Sequence, residues 1–202
     1  MPGAPSLART DPGTKADAKR MEILRLAEGA FRELGFHGAG MREIAAAAGM
    51  LPGNLYYYFR GKDDLLYFCQ KHALTRLLEE AKRILKEESG APERLRRLVG
   101  SHVLSLLEET GGSAANLEFR SLPPARRAEI ATQRDRYERI FRAEIARGAK
   151  EGSLRRVDPK LATLAILGAA NGTVVWWRPD GPLKPAEIAA GFADLLVGGL
   201  LA

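Results

Sequence analysis

Residues 35–66 read GFHGAGMREIAAAAGMLPGNLYYYFRGKDDLL, and this stretch decides the fold. Two short helical tracts, Met41 to Ala48 and Pro52 to Phe59, meet at Gly49, where a backbone without a side chain turns sharply. Pro52 suits a first helical turn, because its ring presets φ and its missing N–H has no intrahelical partner there. Ala45 lets the two helices approach closely, and Ile44, Leu55 and Phe59 supply the apolar groups beneath. The outward face of the second helix then carries Asn54, Tyr56 and Tyr57, groups of a kind able to reach base edges or phosphates. Neighbouring helical residues point about 100° apart, so Tyr57 is expected outward and Tyr58 against the helices behind. This is the spacing of a helix-turn-helix.

Helical periodicity continues on both sides of this stretch. Upstream, Ile23, Ala27, Ala30, Phe31 and Leu34 form one stripe of a helix from about Asp17 to Leu34, with Gly35 as its expected end. The preceding residues 1–15, rich in Pro, Gly and Ala, read as a flexible arm without the apolar run of a secretory signal. Downstream, Gly61-Lys62-Asp63-Asp64 opens a long helix whose acids face the positive end of its dipole. Leu65, Phe68, Cys69, His72, Leu77, Ala81 and Ile84 form its stripe. Gly90-Ala91-Pro92 breaks it before a helix from Pro92 to Glu109. Gly111-Gly112 marks a turn, and a short element carries Leu117, Phe119 and Leu122. Pro123-Pro124 opens an arginine-rich helix ending near Gly152, and Asp158-Pro159 starts an apolar one. The loop from Arg178 to Pro182 precedes a last helix from Pro185 to Leu201. No tract alternates as a strand does. The expectation is an all-α fold of about nine helices: an arm over 1–15, a helix-turn-helix domain over 16–62, and a larger helical domain over 63–202, to which the resemblance given below assigns ligand binding and dimerisation.

Composition narrows the function classes. The chain has 202 residues, 46% of them apolar and 28% charged, with a net charge of +6. That suffices for a packed core and favours anionic partners. Cys69 is the single cysteine, so no intrachain disulfide forms and a cytoplasmic location is expected. Leu161 to Trp177 is apolar over 17 residues, short of the ~20 a bilayer needs, and it contains Gly168 and Gly172. A buried or intersubunit helix is expected there, not a membrane span. His37, His72 and His102 lack metal-ligand spacing, and there is no phosphate-binding glycine loop or nucleophile elbow. A non-enzymatic protein with neither metal nor cofactor follows.

The stretch around residues 31–66 resembles the TetR family. That family's pattern runs Phe-x-x-x-Gly-Phe, Ile-Ala, Gly, Leu-Tyr-x-x-Phe, Lys and Leu-Leu. It is matched here by Phe31, Gly35, Phe36, Ile44-Ala45, Gly49, Leu55-Tyr56, Phe59, Lys62 and Leu65-Leu66. The resemblance implies that Met41 to Ala48 supports, and Pro52 to Phe59 enters, the major groove of double-stranded operator DNA. Arg42, Pro52, Gly53, Asn54, Tyr56, Tyr57 and Lys62 would then meet bases or phosphates. Gly40, Leu51 and Gly61 stand where the family often places Ser or Thr, so no side-chain phosphate contact is expected from them.

The runs LEFRSL, RDRYERIFRAEIARGAKEGSLR, ILGAANGTVVWWRPDGPL and AGFADLLVGGL look like those of TetR-type repressors of fatty-acid, phenylacetate and sterol-side-chain degradation. Such repressors sense acyl-CoA thioesters. The likeness implies an acyl-CoA effector, with Phe119, Tyr137, Phe141, Trp176 and Trp177 as an apolar wall. Arg120, Arg134 and Arg178 would be cations for its phosphates. It further implies a homodimer through the last two helices, reading a palindrome and released by ligand. Two alternatives stay open: an efflux or drug-response regulator sensing an aromatic or hydrophobic ligand, and a helical ligand-binding protein with no DNA role.

Overall fold

The computed structural model describes residues 15–87, 90–107 and 118–202, and in the first helix it describes no side chains at 27–29, 31–33 and 35–37. The expected packing of Ala27, Phe31 and Phe36 and the expected place of Leu117 therefore lie outside the described residues. The regular elements among the described residues are helices, with α1 (Lys15–Gly38), α2 (Met41–Ala47), α3 (Pro52–Tyr58), α4 (Lys62–Lys86) and α5 (Ala91–Leu107). After a 3-10 turn (Phe119–Ser121) come α6 (Pro124–Glu151), α7 (Pro159–Trp176) and α8 (Pro185–Gly198). Eight α-helices are thus present among the described residues. The short element expected near Phe119 is one 3-10 turn, and the sole strand-like pairing among the described residues is a single bridge between Leu154 and Leu201. Two compact units divide between Lys62 and Asp63.

In the first unit, Gly35 does not end α1, which continues to Gly38. A glycine inside a helix costs only about 1 kcal/mol relative to alanine, and the chain leaves the helix where Ala39 is buried and Gly40 caps α2. The turn after α2 is set by backbone geometry. Gly49 sits at φ +65°, its N–H donates to the Ala46 carbonyl at 3.0 Å, and the Met50 N–H donates to Ala45 at 2.8 Å. This paired closure is a Schellman motif, and its left-handed residue is where a β-carbon would be resisted. Leu51 and Pro52 then start α3. Ile23, Leu24, Ile44, Ala45, Leu55 and Phe59 are buried. Arg20 ties the unit together, donating from Nε to the Tyr58 carbonyl at 3.1 Å and lying 5.6 Å from the centre of the Phe59 ring.

The second unit is built around α5, whose Leu95, Leu98, Val99 and Val103 are all buried. Apolar side chains of α4, α6, α7 and α8 join them, among them Ile84, Phe141, Ile166 and Val197. The arginine-rich α6 holds its polar face by short-range ion pairs, Arg142 with Glu138 and Arg147 with Glu144 and Glu151. At its far end a β-carbon on Gly148 would lie 2.5 Å from Leu154 and 2.9 Å from Ala91, so glycine permits this close approach to the start of α5. Asp158 caps α7 by accepting from the Lys160 and Leu161 N–H groups at 2.8 and 2.9 Å. No helix among the described residues is long and apolar enough to cross a membrane.

Candidate functional site

The first candidate surface is the outer face of α3. Leu55 points inward with no exposure, while Pro52, Gly53, Asn54, Tyr56 and Tyr57 are exposed. Tyr57 is the most open of them at 84%, and Tyr56 stands at 52%. Tyr58 is half-buried and packs edge-on against Tyr57 at 5.1 Å. A β-carbon on Gly53 would meet nothing within 4 Å, so the backbone itself is accessible at the start of the helix. Arg42 is exposed on α2, and Lys62 is half-buried at the first position of α4. Neither Gly40 nor Leu51 makes a side-chain cap hydrogen bond. No side-chain cap therefore covers the first N–H groups of either helix, although in α3 Pro52 has none to offer and the Asn54 N–H donates to the Leu51 carbonyl at 3.0 Å. The surface is a short helix offering two phenols, an amide and open backbone.

The second candidate site lies in the core of the second unit, and only part of the expected set meets there. Arg134 spreads its guanidinium 4.4 Å from the centre of the Phe119 ring. One turn along α6, Tyr137 is buried and packs edge-on against Phe141 at 5.3 Å. Burial pushes the Tyr137 hydroxyl well above the usual phenol range, so it stays protonated. Burial also lowers the Arg134 pKa.

Trp176, Trp177 and Arg178 lie elsewhere. Trp176 is 46% exposed and stacks on Phe192 at 6.2 Å. Trp177 packs on a separate apolar cluster with Val103, Leu106 and Ile188, and donates its indole N–H to the Leu183 carbonyl at 3.1 Å. Arg178 donates to the carbonyls of Val175 and Trp177, closing the end of α7. Arg120 is exposed on the 3-10 turn.

The structure adds three polar residues that periodicity had assigned to apolar faces or left aside. Gln70 of α4 and His102 of α5 are buried, and Asn171 of α7 lies half-buried beside His102. The His102 Nε2 pairs with Asn171 Oδ1 at 3.0 Å, and the imidazole stacks on Tyr137 at 5.6 Å. Arg134 Nη2 donates to Gln70 Oε1 at 3.4 Å. Burial, reinforced by the nearby Arg134 cation and opposed by the Asn171 bond, brings the His102 pKa down to about 4. The imidazole is neutral at physiological pH. The available signal in sequence was a glutamine, a histidine and an asparagine each inside an otherwise apolar helix face.

A cleft of about 860 Å³ occupies another flank of α5, facing α4 and α8, with Ala189 and Ala193 among its lining residues. It shares no residue with the aromatic cluster. Its rim arginines are engaged with carboxylates, Arg83 with Glu80, Arg97 with Glu87 and Arg96 with Asp194.

Comparison with known proteins matches both units. The family described as bacterial regulatory proteins, tetR family, matches residues 23–67, and the tetracyclin repressor-like C-terminal domain matches residues 88–200. The fatty acid metabolism regulator protein of Bacillus subtilis (strain 168) is 28% identical, with 90% of this chain and 95% of that protein covered. The crystal structure of the TetR-family regulator PfmR from Thermus thermophilus superposes with a TM-score of 0.79 at 32% identity, covering 89% of this chain and 99% of that one. AibR in complex with isovaleryl coenzyme A and operator DNA superposes with a TM-score of 0.74 at 25% identity, covering 89% and 98%. With a family match over more than half its length and a helix-turn-helix of the expected spacing, this chain belongs to the TetR family of transcriptional regulators and is a DNA-binding regulator, not an enzyme.

Proposed function

We propose that this regulator represses transcription by binding palindromic operator DNA as a cytoplasmic homodimer, and that a CoA thioester releases it. Residues 16–62 are assigned to the DNA and residues 63–202 to the effector and the dimer. The observation that carries the DNA reading is the exposure of Asn54, Tyr56 and Tyr57 on one short helix whose apolar face is fully buried. Arg42 and Lys62 flank that helix in sequence and supply cations for phosphates. With the usual hydroxyls absent at Gly40, Leu51 and Gly61, Tyr56, Lys62 and backbone N–H groups carry more of the phosphate contact.

The dimer reading is supported by the open face of the last two helices. Leu161, Leu164 and Val175 of α7 and Leu195 of α8 are exposed, and the first three share one face with Gly168, where a β-carbon would meet nothing. An apolar stripe with glycine in it suits a two-fold helix pairing. Such a dimer sets two recognition helices about 34 Å apart along a duplex.

The effector reading is supported by the Phe119–Arg134–Tyr137–Phe141 cluster, which joins apolar surface to a half-buried cation, and by the bound isovaleryl coenzyme A named for AibR. Trp176, Trp177 and Arg178 pack apart from this cluster and Arg120 is exposed on the 3-10 turn, so the reading seats the acyl part on Phe119, Arg134, Tyr137 and Phe141. Ligand then shifts the population toward a dimer spacing that no longer fits the operator.

The test is a shift assay with the full-length protein on a selected palindrome and on random duplex across salt concentrations, with and without acyl-CoAs. Tight, salt-dependent binding of the palindrome, abolished by a CoA thioester, is the expected result. Equal binding of both duplexes overturns the operator reading. Release by aromatic drugs but not by thioesters moves the protein to efflux or drug response.

A further inference from the structure

Among the described residues, four buried side-chain atoms of the second unit have no hydrogen-bond partner, and two of them, Nε2 of Gln70 and Nδ1 of His102, belong to residues linked through Arg134; the others are Arg94 Nε and Gln133 Oε1. Gln70 and His102 are more than nine-tenths buried, at 3% and 7% exposure. They sit on different helices and belong to one connected cluster. Arg134 binds the oxygen of Gln70, and the same cation acts electrostatically on His102. A buried polar atom left unmatched opposes folding, so such atoms persist where a ligand or water completes them.

Their chemistry is complementary. Gln70 accepts from Arg134 through Oε1, which leaves its amide N–H₂ free to donate. His102 directs Nε2 at the Asn171 amide oxygen, so Nε2 carries the proton and Nδ1 offers a lone pair. The pair is therefore matched by a ligand that offers both an acceptor and a donor, each uncharged. Aliphatic chain alone would leave both atoms unmatched.

We infer that Gln70 and His102 form the polar recognition point for the effector, donating to a carbonyl oxygen and accepting from an N–H or O–H a few atoms away. Asn171 positions the imidazole, and Tyr137 stacks on it. This rests on the CoA-thioester reading above and adds the residues that read the ligand's uncharged polar atoms. Two sources carry that chemistry: the thioester carbonyl with the amide of the adjoining pantetheine arm, or a hydroxyl on the acyl chain near the thioester.

The test measures binding of octanoyl-CoA and β-hydroxyoctanoyl-CoA by calorimetry to the wild-type protein, Gln70→Met and His102→Phe, together with ligand-free melting temperatures. Gln70→Met is expected to weaken octanoyl-CoA binding about ten-fold or more, while its ligand-free melting temperature stays close to that of the wild type, because removal of the unmatched donor offsets loss of the long Arg134 bond to Oε1. If the pantetheine amide is the donor, His102→Phe weakens both thioesters alike. If the acyl hydroxyl is the donor, the wild type prefers the hydroxylated thioester and His102→Phe abolishes that preference. Wild-type affinity retained in both variants overturns the assignment, as does a lowered melting temperature with unchanged affinity, which marks a packing role. Failure of the wild type to bind either thioester overturns the effector reading and this assignment with it.

Discussion

Arg126 at the start of α6 donates from Nη2 to Asp64 Oδ1 in the first turn of α4 at 2.5 Å. The same guanidinium lies 4.9 Å from the centre of the Tyr67 ring. One turn further on, Glu129 accepts from the Tyr67 hydroxyl at 2.6 Å and from Lys71 at 2.9 Å, and these donors, Tyr67 first, hold its carboxyl below the usual range. The helix bearing Arg134 and Tyr137 is thus clamped to the helix that begins where the two units divide. Because the Arg126–Asp64 pair is partly exposed, a double-mutant cycle on Asp64→Ala and Arg126→Ala should give a coupling of about 0.5–1 kcal/mol in urea unfolding. A coupling indistinguishable from zero would show that the pair holds nothing in solution.

Side chains on the outer face of α3 should matter for DNA and not for stability. Tyr57→Ala removes a side chain that is 84% exposed, so its melting temperature should match the wild type while operator affinity falls at least ten-fold. Lys62→Ala should weaken all duplexes alike and lower the slope of log affinity against log salt by about 1. A large loss of thermal stability in Tyr57→Ala would assign that ring to packing instead.

At Gly49 the cost of a side chain comes from the backbone alone. Its φ is +65°, and a β-carbon there would meet no atom within 4 Å. Gly49→Ala should destabilise the helix-turn-helix by about 1–2 kcal/mol, visible as a lower melting temperature, and Gly49→Asn should recover part of the loss because asparagine tolerates this region better.

Acid should find His102. Its pKa falls from 6.5 to about 4 through burial, so the unfolded chain takes up a proton in a range where the folded chain does not. Its effect on stability is absent above about pH 7, and stability is lost as pH falls from about 6.5 toward 4. The full loss is roughly 3 kcal/mol. Subtracting the pH profile of His102→Phe from that of the wild type isolates this contribution from the carboxylates titrating in the same range. Superimposable profiles would mean that the imidazole is solvated.

Leu195, 74% exposed on α8, tests the dimer. Leu195→Arg places a charge in the proposed apolar pairing face, so light scattering should report a monomer at concentrations where the wild type is dimeric. Affinity for a full palindrome should drop at least ten-fold, because one recognition helix then binds without its mate. A dimeric Leu195→Arg protein would move the interface elsewhere.

The DNA-reading unit was legible in the sequence because its determinants act over a few residues. Gly49 sets the turn, Pro52 starts the next helix, and the interval from Ile44-Ala45 to Leu55 and Phe59 places every buried group on one side. The end of α1 was less so: a glycine at 35 lowers helix propensity without stopping a helix that the following chain extends to Gly38. In the second unit, periodicity located the helices but not which faces meet. Trp176-Trp177-Arg178 read as one site with Phe119 and Arg134, yet Trp177 bonds to Leu183 and Arg178 caps α7. Gln70, His102, Arg134 and Asn171 belong to four different helices, and each alone is an ordinary polar residue. Only the packing of α4, α6 and α7 around α5 gathers them in the low-dielectric interior, where an unmatched hydrogen-bonding atom gains its meaning.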